Sequence, residues 1–418
     1  MVKLIGNFSR LDKKKVLVAG DLLLDTYTIG KARRISPEAP VAVIEVKRHE
    51  ERAGGAGNAI LNLISLGAEV VALGRVGQDA AGKTLIQSLR LENVNTEGVI
   101  EEPNFATPIK NRIVADNQQI VRVDHETIKP LSPECEEKLI TQLPFLLEGI
   151  QAIAISDYGK GFLSEKLLKK LILLARSKNI FIIVDPKGND FSRYNHANLI
   201  KPNAKEAYQA AHLDASFSLD EVAEKIFTTT GIEYLMVTRS EEGISLFEKN
   251  NLRHDFPVVA KQVKDVTGAG DTVLAMLALS LANALPLSIA IQFSNVAAGI
   301  AIEQFGCARV SLPELAKRLL EFDISNKIFD ADHLHALKAS LANQPCSLVS
   351  IQGPPSISLI HRLTEHKKAT GRSIVASITG PVQEETLSMV TALQPIDFIL
   401  LNTDSKKILS YFPTIHFI

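Results

Sequence analysis

The stretch D-V-T-G-A-G-D-T at positions 265–272 combines two glycines with an acid and stands directly before an apolar run. Glycine lets the backbone approach a ligand closely, and the start of a helix presents unpaired N–H groups at the positive end of its dipole. The amides of Gly268, Ala269 and Gly270 are therefore predicted to form an anion site. Asp271 adds a carboxylate beside that site.

Phosphoryl transfer from ATP to a hydroxyl group needs both features of this loop. The transferring group carries negative charge on its oxygens, which the loop amides would stabilise. The hydroxyl must lose its proton, and Asp271 is positioned to accept it as a general base. The same fragment also fits a purely structural interpretation, since glycines cap helices and aspartate favours a first helical turn.

Two further segments place polar residues next to strand-like runs. Asp21 and Asp25 follow the first run, where their carboxylates would accept hydrogen bonds from sugar hydroxyls. Gly54 and Gly55 open a helix-like segment in which Asn58 can both donate and accept. The structural alternatives are a turn aspartate and a close-packed pair of glycines.

The segment K-P-N-A-K-E at 201–206 predicts a magnesium site. Asn203 and Glu206 are three residues apart, so on a helix they share a face and would hold Mg²⁺, directly or through water. The alternative is a capping asparagine with a glutamate in the first turn. The functional interpretation is favoured for all these segments together, because they would meet at the carboxyl edge of one sheet.

Apolar runs alternating with helical patterns predict the elements that position these residues. The strand-like runs lie at 15–20, 69–77, 151–157, 179–188, 198–203 and 233–240, and helical patterns include 54–67 and 164–178. Most of the strand-like runs are continuous and β-branched, as expected for strands covered on both faces. The alternation predicts a doubly wound, mostly parallel sheet.

Segments 26–48 and 107–126 break this rhythm with near-alternating polarity, which predicts a small β lid with one wet face. Two ornamental hairpins are the alternative. The pattern falters after Glu321, which predicts a boundary near residue 325 between a domain at 1–325 and a short α/β domain at 326–418. In the second domain, a helix is predicted at 330–342 and strands are predicted at 347–352, 373–379 and 396–402.

Composition excludes several classes of protein. A net charge of −1 argues against bulk nucleic-acid binding. The three cysteines have no metal-like spacing, which predicts a cytoplasmic protein without a disulfide framework. No apolar stretch has the length of a membrane span, since the longest candidate, 273–285, is too short.

Five motifs, in this order and spacing, resemble those of ribokinase/PfkB sugar kinases over residues 15 to about 322. They are V-A-G-D-L-L-L-D (18–25), G-G-A-G-N (54–58), K-P-N-A-K-E (201–206), V-T-R-S-E-E-G (237–243) and D-V-T-G-A-G-D-T (265–272). A ribokinase-like fold is therefore expected. Further segments resemble more closely the kinase half of the bifunctional heptose enzymes of Gram-negative bacteria. These segments lie at 33–43, 116–124, 155–161, 184–194 and 237–243.

The closer resemblance implies ATP-dependent phosphorylation of D-glycero-β-D-manno-heptose 7-phosphate at O1. The product, heptose 1,7-bisphosphate, leads to ADP-heptose for the lipopolysaccharide core. The alternatives are a kinase for another sugar phosphate, a bifunctional enzyme that also has heptose 1-phosphate adenylyltransferase activity, and a sugar- or nucleotide-binding regulator with an idle kinase site. The resemblance also implies a homodimer that pairs through the lids.

The resemblance assigns a role to each matching residue. Asp271 would be the catalytic base, and Gly268, Ala269 and Gly270 would form the anion hole. The residues implied to meet the nucleotide phosphates and Mg²⁺ are Asn203, Ala204, Lys205 and Glu206. Those implied to border the nucleotide are Thr238, Ser240 and Gly243. Those implied to hold the sugar are Asp21, Asp25, Gly54, Gly55 and Asn58.

Two sets of residues complete this expectation. Asp265 and Thr267 resemble a monovalent-cation site of related kinases. The 7-phosphate needs cations, and at least two of the candidates are expected to be ordinary surface charges. The candidates are Lys110, Arg112, Arg122, Lys160 and Lys187.

The last ninety or so residues resemble the adenylyltransferase half of the same enzymes, with its active loop eroded. Where that family has an aspartate and two histidines that meet the nucleotide triphosphate, this chain has Ser356, Leu359 and Arg362. Without the histidine pair, the usual electrostatic stabilisation has no source. The tail is therefore predicted to be a truncated, non-catalytic nucleotidyltransferase-like domain.

Overall fold

The computed structural model describes residues 4–116, 118–249, 252–258, 263–304, 306–323, 327–331, 334–341, 344–380, 384–412 and 415–418. The chain divides into two compact units. The larger unit is Asp12–Val310, and the smaller combines Met1–Leu11 with Ser311–Ile418. This division falls earlier than the boundary near 325 predicted from the sequence, because the helix Leu312–Asp323 packs on the N-terminal turn Leu4–Arg10 within the smaller unit.

The larger unit consists of strands and helices that alternate along much of the chain. In chain order its strands are β1 (Lys15–Gly20), β2 (Leu22–Ile35), β3 (Ala42–Gly55), β4 (Glu69–Gly77), β5 (Asn95–Glu102), β6 (Ile109–Ala115), β7 (Gln118–His125), β8 (Ala152–Ser156), β9 (Phe181–Asp185), β10 (Leu199–Ile200), β11 (Tyr234–Thr238), β12 (Ile244–Glu248) and β13 (Arg253–Phe256). Its helices are α1 (Ala56–Ser65), α2 (Ala80–Leu91), α3 (Pro133–Leu146), α4 (Glu165–Ser177), α5 (Ala204–Ala211), α6 (Leu219–Thr230), α7 (Ala269–Ala282) and α8 (Leu287–Ala301).

The central sheet has the order β13-β12-β11-β10-β9-β8-β1-β4-β5 among the described residues. Its strands from β11 to β5 are parallel, which confirms the predicted doubly wound, mostly parallel fold. Buried apolar residues cover both faces of β1 and β8, as their continuous apolar sequences require. The antiparallel edge formed by β12 and β13 was not predicted, because β13 is short and polar.

The segments 26–48 and 107–126 contribute to one small sheet with the order β3-β2-β6-β7, here called the lid sheet. Its strands β2 and β3 run beyond the predicted segment, so the same strands continue from the lid sheet to Leu22 and Gly55. All eight residues of β7 are exposed, so the prediction of a single wet face is wrong for that strand. The predicted turn includes Asp116, whose φ is 50°, and Asn117, which lies outside the described residues.

Helix α7 is the central helix of the larger unit. Its residues from Asp271 to Ser280 are all buried, and it packs on α1 and α8 and on the strands β8 and β9. This packing explains the long apolar run after Thr272, since a helix that is apolar all round is a buried helix. In the part of the chain that the structure covers, each helix is too short or too polar to cross a membrane.

The smaller unit is a second α/β layer structure. Its strands are β14 (Ile328–Phe329), β15 (Cys346–Ser350), β16 (Ser373–Ile378), β17 (Phe398–Leu401) and β18 (His416–Phe417). Its helices are α9 (Leu312–Asp323), α10 (Leu334–Ser340), α11 (Ile357–Thr370), α12 (Glu384–Ala392) and α13 (Ser405–Tyr411). The strands form a parallel sheet with the order β14-β17-β16-β15-β18.

The eroded loop of the tail leads into α11. Ser356 is the N-cap of this helix, and its hydroxyl accepts a hydrogen bond from the Leu359 amide at 3.2 Å. Arg362 lies one turn further along the same helix. The positions aligned with the missing aspartate and histidines therefore serve the start of an ordinary capped helix.

Candidate active site

The glycine loop ends at the start of α7, as predicted. Gly268 is the N-cap residue with a left-handed φ of 79°, and a Cβ there would lie 2.8 Å from Nδ2 of Asn58. Glycine is thus required by backbone and by space. The Ala269 amide donates to the carbonyl of Val266 at 3.3 Å. Among the described residues, no side chain caps this helix, which leaves its first turn to a ligand.

Asp271 is held in place on both of its carboxylate oxygens. It is 4% exposed, and Asn58 Nδ2 donates to Oδ2 at 2.7 Å while the Tyr158 hydroxyl donates to Oδ1 at 3.0 Å. Burial raises the pKa of Asp271 to about 7, an effect that the Asn58 hydrogen bond opposes and the charge of Asp185 reinforces. A carboxylate with a pKa near neutrality is well matched to general base catalysis at physiological pH.

A buried lysine stands beside the same helix start. Lys201 is 3% exposed, and its Nζ lies 3.0 Å from Oδ2 of Asp185. A Cβ at Gly270 would lie 3.7 Å from that Nζ, so the lysine reaches the glycine loop. Lys201, Asp185 and Tyr158 lie in segments that resemble the family but were not predicted to take part in the site. The signal available was the position of each at the end of a strand.

Asp21 is committed to a neighbouring loop. Its carboxylate accepts hydrogen bonds from the amides of Tyr158, Lys160 and Phe162 at 3.0, 3.1 and 3.2 Å. Burial raises the pKa of Asp21, and the charge of Asp157 adds to that effect. The structure thus brings Asp21 to the site, where it organises a loop with three of its lone pairs.

Asp25 lies in a buried ion pair with Arg112. A Cβ at Gly54 would lie 2.2 Å from Oδ2 of Asp25, and one at Gly55, whose φ is 58°, would lie 2.6 Å from the Asp21 carbonyl oxygen. The two glycines therefore allow the end of β3 to cross close to both aspartates. This crossing brings α1, and with it Asn58, to Asp271.

Each of the five cations proposed for the 7-phosphate is paired with a carboxylate. Lys110 contacts both Asp124 and Glu126, and Lys160 shares Glu126 with it. The other pairs are Arg112 with Asp25, Arg122 with Asp124, and Lys187 with Glu206. Lys110, Arg112 and Lys160 are mostly buried, whereas Arg122 and Lys187 are about half exposed.

Asn203 and Glu206 form a capping box at the start of α5. The Glu206 amide donates to Asn203 Oδ1 at 2.9 Å, and the Asn203 amide donates to Glu206 Oε2 at 3.1 Å. Oε1 of Glu206 accepts from Lys187 at 2.9 Å. This is the structural alternative weighed for the motif, and it places Ala204 and Lys205 in the first turn of the helix.

The residues expected to border the nucleotide lie at and after the end of β11. Thr238 pairs with Asn203 in an isolated bridge, which brings the ends of β11 and β10 together. Ser240 has a φ of 51° and Gly243 a φ of 89°. A Cβ at Gly243 would lie 2.0 Å from the Phe256 carbonyl oxygen, so this glycine is needed for the close approach of β13.

Asp265 organises the loop before α7. It accepts hydrogen bonds from the Thr267 amide at 2.9 Å, the Thr267 hydroxyl at 2.7 Å and the Gly306 amide at 2.9 Å. Burial acts to raise the pKa of Asp265, but these hydrogen bonds outweigh it and lower the pKa overall. No group of three or more histidine, cysteine or acidic residues with metal-binding geometry is present among the residues described.

The family of this chain follows from comparison with known proteins. Residues 13–315 match the model of the pfkB family carbohydrate kinases. The chain belongs to this family. Its match includes the glycine loop, Asp271 and the lid sheet. The chain is therefore a carbohydrate kinase, and membership of the pfkB family implies the use of ATP and Mg²⁺.

Relatives and solved structures agree with the family. The chain is 42% identical over 337 residues to the "Bifunctional protein HldE" of Trichlorobacter lovleyi, a match that covers 80% of this chain and 69% of the relative. It is 44% identical over 305 residues to the protein of the same name from Helicobacter pylori, covering 72% of this chain and 66% of the relative. The match thus spans about two thirds of the length of these relatives.

Two solved structures share the fold at low identity. One is Escherichia coli phosphofructokinase-2 in complex with potassium, with a TM-score of 0.61, 20% identity and coverage of 75% of this chain and 100% of that one. The other is Arabidopsis thaliana ribokinase complexed with ribose and ATP, with a TM-score of 0.57, 17% identity and coverage of 74% and 99%. Both confirm the ribokinase-like fold of the pfkB domain.

Proposed function

We propose that this chain transfers the γ-phosphoryl group of ATP to O1 of D-glycero-β-D-manno-heptose 7-phosphate, giving heptose 1,7-bisphosphate. The observation that carries the proposal is a buried carboxylate, Asp271, in the first turn of an uncapped helix. The choice of sugar rests on the heptose-branch motifs of the sequence and on the relatives named HldE.

In this proposal Asp271 takes the proton from the attacking hydroxyl. Its hydrogen bonds from Asn58 and Tyr158 fix the direction of both oxygens, so little reorganisation is needed when the acceptor arrives. The base is 4% exposed, and exclusion of water at this depth protects ATP from hydrolysis.

The start of α7 and Lys201 stabilise the transferring group. Backbone amides and the helix dipole meet the equatorial oxygens, whose negative charge the buried ammonium of Lys201 also neutralises. Of the proposed anion-hole amides, that of Ala269 donates a long hydrogen bond of 3.3 Å to the Val266 carbonyl oxygen, which a phosphoryl oxygen would replace.

The capping box of α5 suits Mg²⁺ bound through water. Asn203 Oδ1 and both oxygens of Glu206 already accept hydrogen bonds, but each carboxylate oxygen has a second lone pair. Mg²⁺ in proteins usually keeps several waters and takes phosphate oxygens among its other ligands. When bound, it would neutralise the charge of the β- and γ-phosphate oxygens. Asp265 and Thr267 remain our proposal for a monovalent-cation site, with Thr238, Ser240 and Gly243 next to the nucleotide.

We propose that the 7-phosphate binds Lys110, Arg112 and Lys160 and displaces the carboxylates that now pair with them. These three are mostly buried, so a dianion that reaches them gains strong, weakly screened interactions. Arg122 is an ordinary surface charge in this account. Lys187 is bound to Glu206, so we assign it to the nucleotide side of the site.

A substrate panel tests the choice of sugar. We expect kcat/KM for heptose 7-phosphate to exceed that for the same heptose without its phosphate by at least about 10²-fold. The unphosphorylated sugar cannot form the charge-assisted hydrogen bonds with the proposed cations. Ribose and fructose 6-phosphate serve as the comparison substrates. Equal kcat/KM for the phosphorylated and unphosphorylated heptose would contradict the proposal, while retaining the assignment as a sugar kinase.

The tail is proposed to be non-catalytic, so that a separate adenylyltransferase completes the route to ADP-heptose. Ser356 caps α11 where the related active loop has its aspartate, and Leu359 and Arg362 follow on that helix. A bifunctional enzyme is the alternative that the name of the relatives favours. Formation of ADP-heptose from heptose 1-phosphate and ATP by the purified chain would establish that alternative.

A homodimer is proposed to form through the lid sheet. Its edge strand β7 is fully exposed and carries Ile120, Val121 and Val123, an unusual cluster of apolar residues on an open edge. Val121→Glu is expected to shift the protein to a monomer in sedimentation velocity, and a parent that is already a monomer at working concentration would contradict the proposal.

The cytoplasm is our proposed location, on the basis of cysteine usage.

A further inference from the structure

The loop after β8, residues 157–162, touches the proposed base and is tied down on three sides. The Tyr158 hydroxyl donates to Oδ1 of Asp271 at 3.0 Å. The loop's own amides are bound by Asp21, and the Lys160 ammonium binds Glu126 at the end of the lid sheet at 2.7 Å. The position of the Tyr158 hydroxyl is therefore set by a framework outside α7.

A buried arginine completes that framework. Arg75 is 2% exposed, and its Nη2 donates to the carbonyl oxygens of Lys160 at 3.0 Å and Lys129 at 2.8 Å. Its Nη1 is paired with Glu102 at 2.7 Å, and its guanidinium stacks on Phe105 at 3.8 Å from the ring centroid. A planar group with this many partners permits one position of the loop.

We propose that Tyr158 is the positioning residue for Asp271, holding Oδ1 so that the base meets the acceptor hydroxyl in its ionised form. This inference rests on the proposed role of Asp271. Burial raises the pKa of Tyr158 well above its usual value, so the hydroxyl stays protonated. It therefore acts as a hydrogen-bond donor to the carboxylate and not as a second base. A hydrogen bond donated to a carboxylate favours its charged form.

Other groups also face Asp271, and they set the background for this effect. Besides burial, the charge of Asp185 raises the pKa of Asp271, while the side-chain amide of Asn58 and the charge of Lys201 lower it and favour the ionised carboxylate. The Cys307 thiol lies in the same region. Burial raises the pKa of Cys307 to about 12, so the thiol stays neutral in the working pH range. Removal of the Tyr158 hydroxyl leaves all four in place.

The pH dependence of kcat/KM for ATP-dependent phosphorylation tests the inference in Tyr158→Phe. Loss of the donor raises the pKa of Asp271, so the acidic limb is expected to move to higher pH by about one pH unit. Tyr194→Phe is the matched control. Tyr194 is buried and donates to Asp157 in the same loop at 2.7 Å, and the hydrogen bonds of the described residues include none between Tyr194 and Asp271. The acidic limb of Tyr194→Phe is expected to stay at the parental pH.

A second measurement needs no substrate and separates this inference from the proposed function. Because the folded-state pKa of Asp271 lies above its unfolded value, the contribution of Asp271 to the free energy of unfolding falls as pH rises from about 4 and levels off above about 7. In Tyr158→Phe that fall is expected to continue to higher pH, even if no sugar phosphate tested is a substrate. The difference between each profile and that of Asp271→Asn, in which this contribution is absent, isolates the fall that belongs to Asp271.

Two results would overturn the inference. One is an acidic limb in Tyr158→Phe at the parental pH, together with a parental pH profile of unfolding. The other is an equal displacement in Tyr158→Phe and Tyr194→Phe, which would assign the effect to the loop as a whole. Failure of every sugar phosphate as a substrate, with the unfolding profile displaced as expected, would reject the proposed function and keep the contact between Tyr158 and Asp271.

Discussion

Replacing Asp271 with asparagine is expected to lower kcat by about 10²- to 10⁴-fold, because the attacking hydroxyl loses its only general base. The KM for ATP is expected to stay near the parental value, since the amides of α7 and Lys201 remain. Steady-state kinetics at pH 8, where the parental base is ionised, provides the measurement. A variant that retains more than about a tenth of parental kcat would contradict the role of Asp271.

The same substitution is expected to stabilise the fold above pH 7. Moving a carboxyl pKa from 3.8 to about 7 corresponds to a cost of about 4 kcal/mol for the ionised form. Asparagine avoids this cost but turns its amide N–H group toward one of the two donors, so only part of it is expected as a gain. The gain shrinks as pH falls through 7, where the parental carboxyl becomes protonated. Denaturant unfolding at pH 5 and pH 8 measures the difference.

Asp79→Asn offers a control of opposite sign. Asp79 caps α2 and accepts hydrogen bonds from the amides of Gly82 and Thr107 at 2.7 and 2.8 Å. Although burial acts to raise its pKa, these bonds lower it overall, so its stabilisation is present at neutral pH and lost on acidification. Asp79→Asn is therefore expected to destabilise the protein at pH 7, by an amount that declines in acid.

The second large effect is expected for Arg75→Met. The substitution leaves Glu102, which is 1% exposed, without its ionic partner, and it removes the donor for the carbonyl oxygens of Lys129 and Lys160. Breaking a buried pair from one side costs about 3–5 kcal/mol. Denaturant midpoints of the larger unit's unfolding transition measure the loss.

A double variant separates charge from packing at this position. Arg75→Met with Glu102→Leu removes the uncompensated carboxylate, so it is expected to recover part of the stability lost in Arg75→Met. The carbonyl oxygens of Lys129 and Lys160 still lack their donor, so kcat is expected to stay below the parental value in both variants. A double variant less stable than the single one would show that the ion pair is not the main contribution of Arg75.

Sequence patterns were sufficient to place the central elements of the site. Glycine at 268 and an acid three residues later, followed by an apolar run, predicted a helix start with an acid in its first turn, and the structure has both. This succeeded because helix capping and strand burial depend on near neighbours in the chain. The division into compact units at Val310 lies before the boundary predicted near residue 325, since the helix Leu312–Asp323 has the same local pattern whichever unit it packs against.

Partner choice among charged side chains could not be read from the sequence. Asp21 was expected to face sugar hydroxyls, yet it accepts three amides from a loop more than 130 positions away in the chain. Lys201 and Tyr158 were not predicted to belong to the site, because only folding brings them next to Gly270 and Asp271. Tertiary proximity, which no local pattern encodes, decides each of these cases.

The most direct test of the account is product identification with ATP, Mg²⁺ and D-glycero-β-D-manno-heptose 7-phosphate, comparing the parent with Asp271→Asn. The account predicts one ADP released for each sugar consumed by the parent, a second phosphate at O1 visible by ³¹P NMR, and loss of nearly all turnover in the variant. A parent that releases no ADP with this sugar, or a product phosphorylated at another hydroxyl, would contradict it.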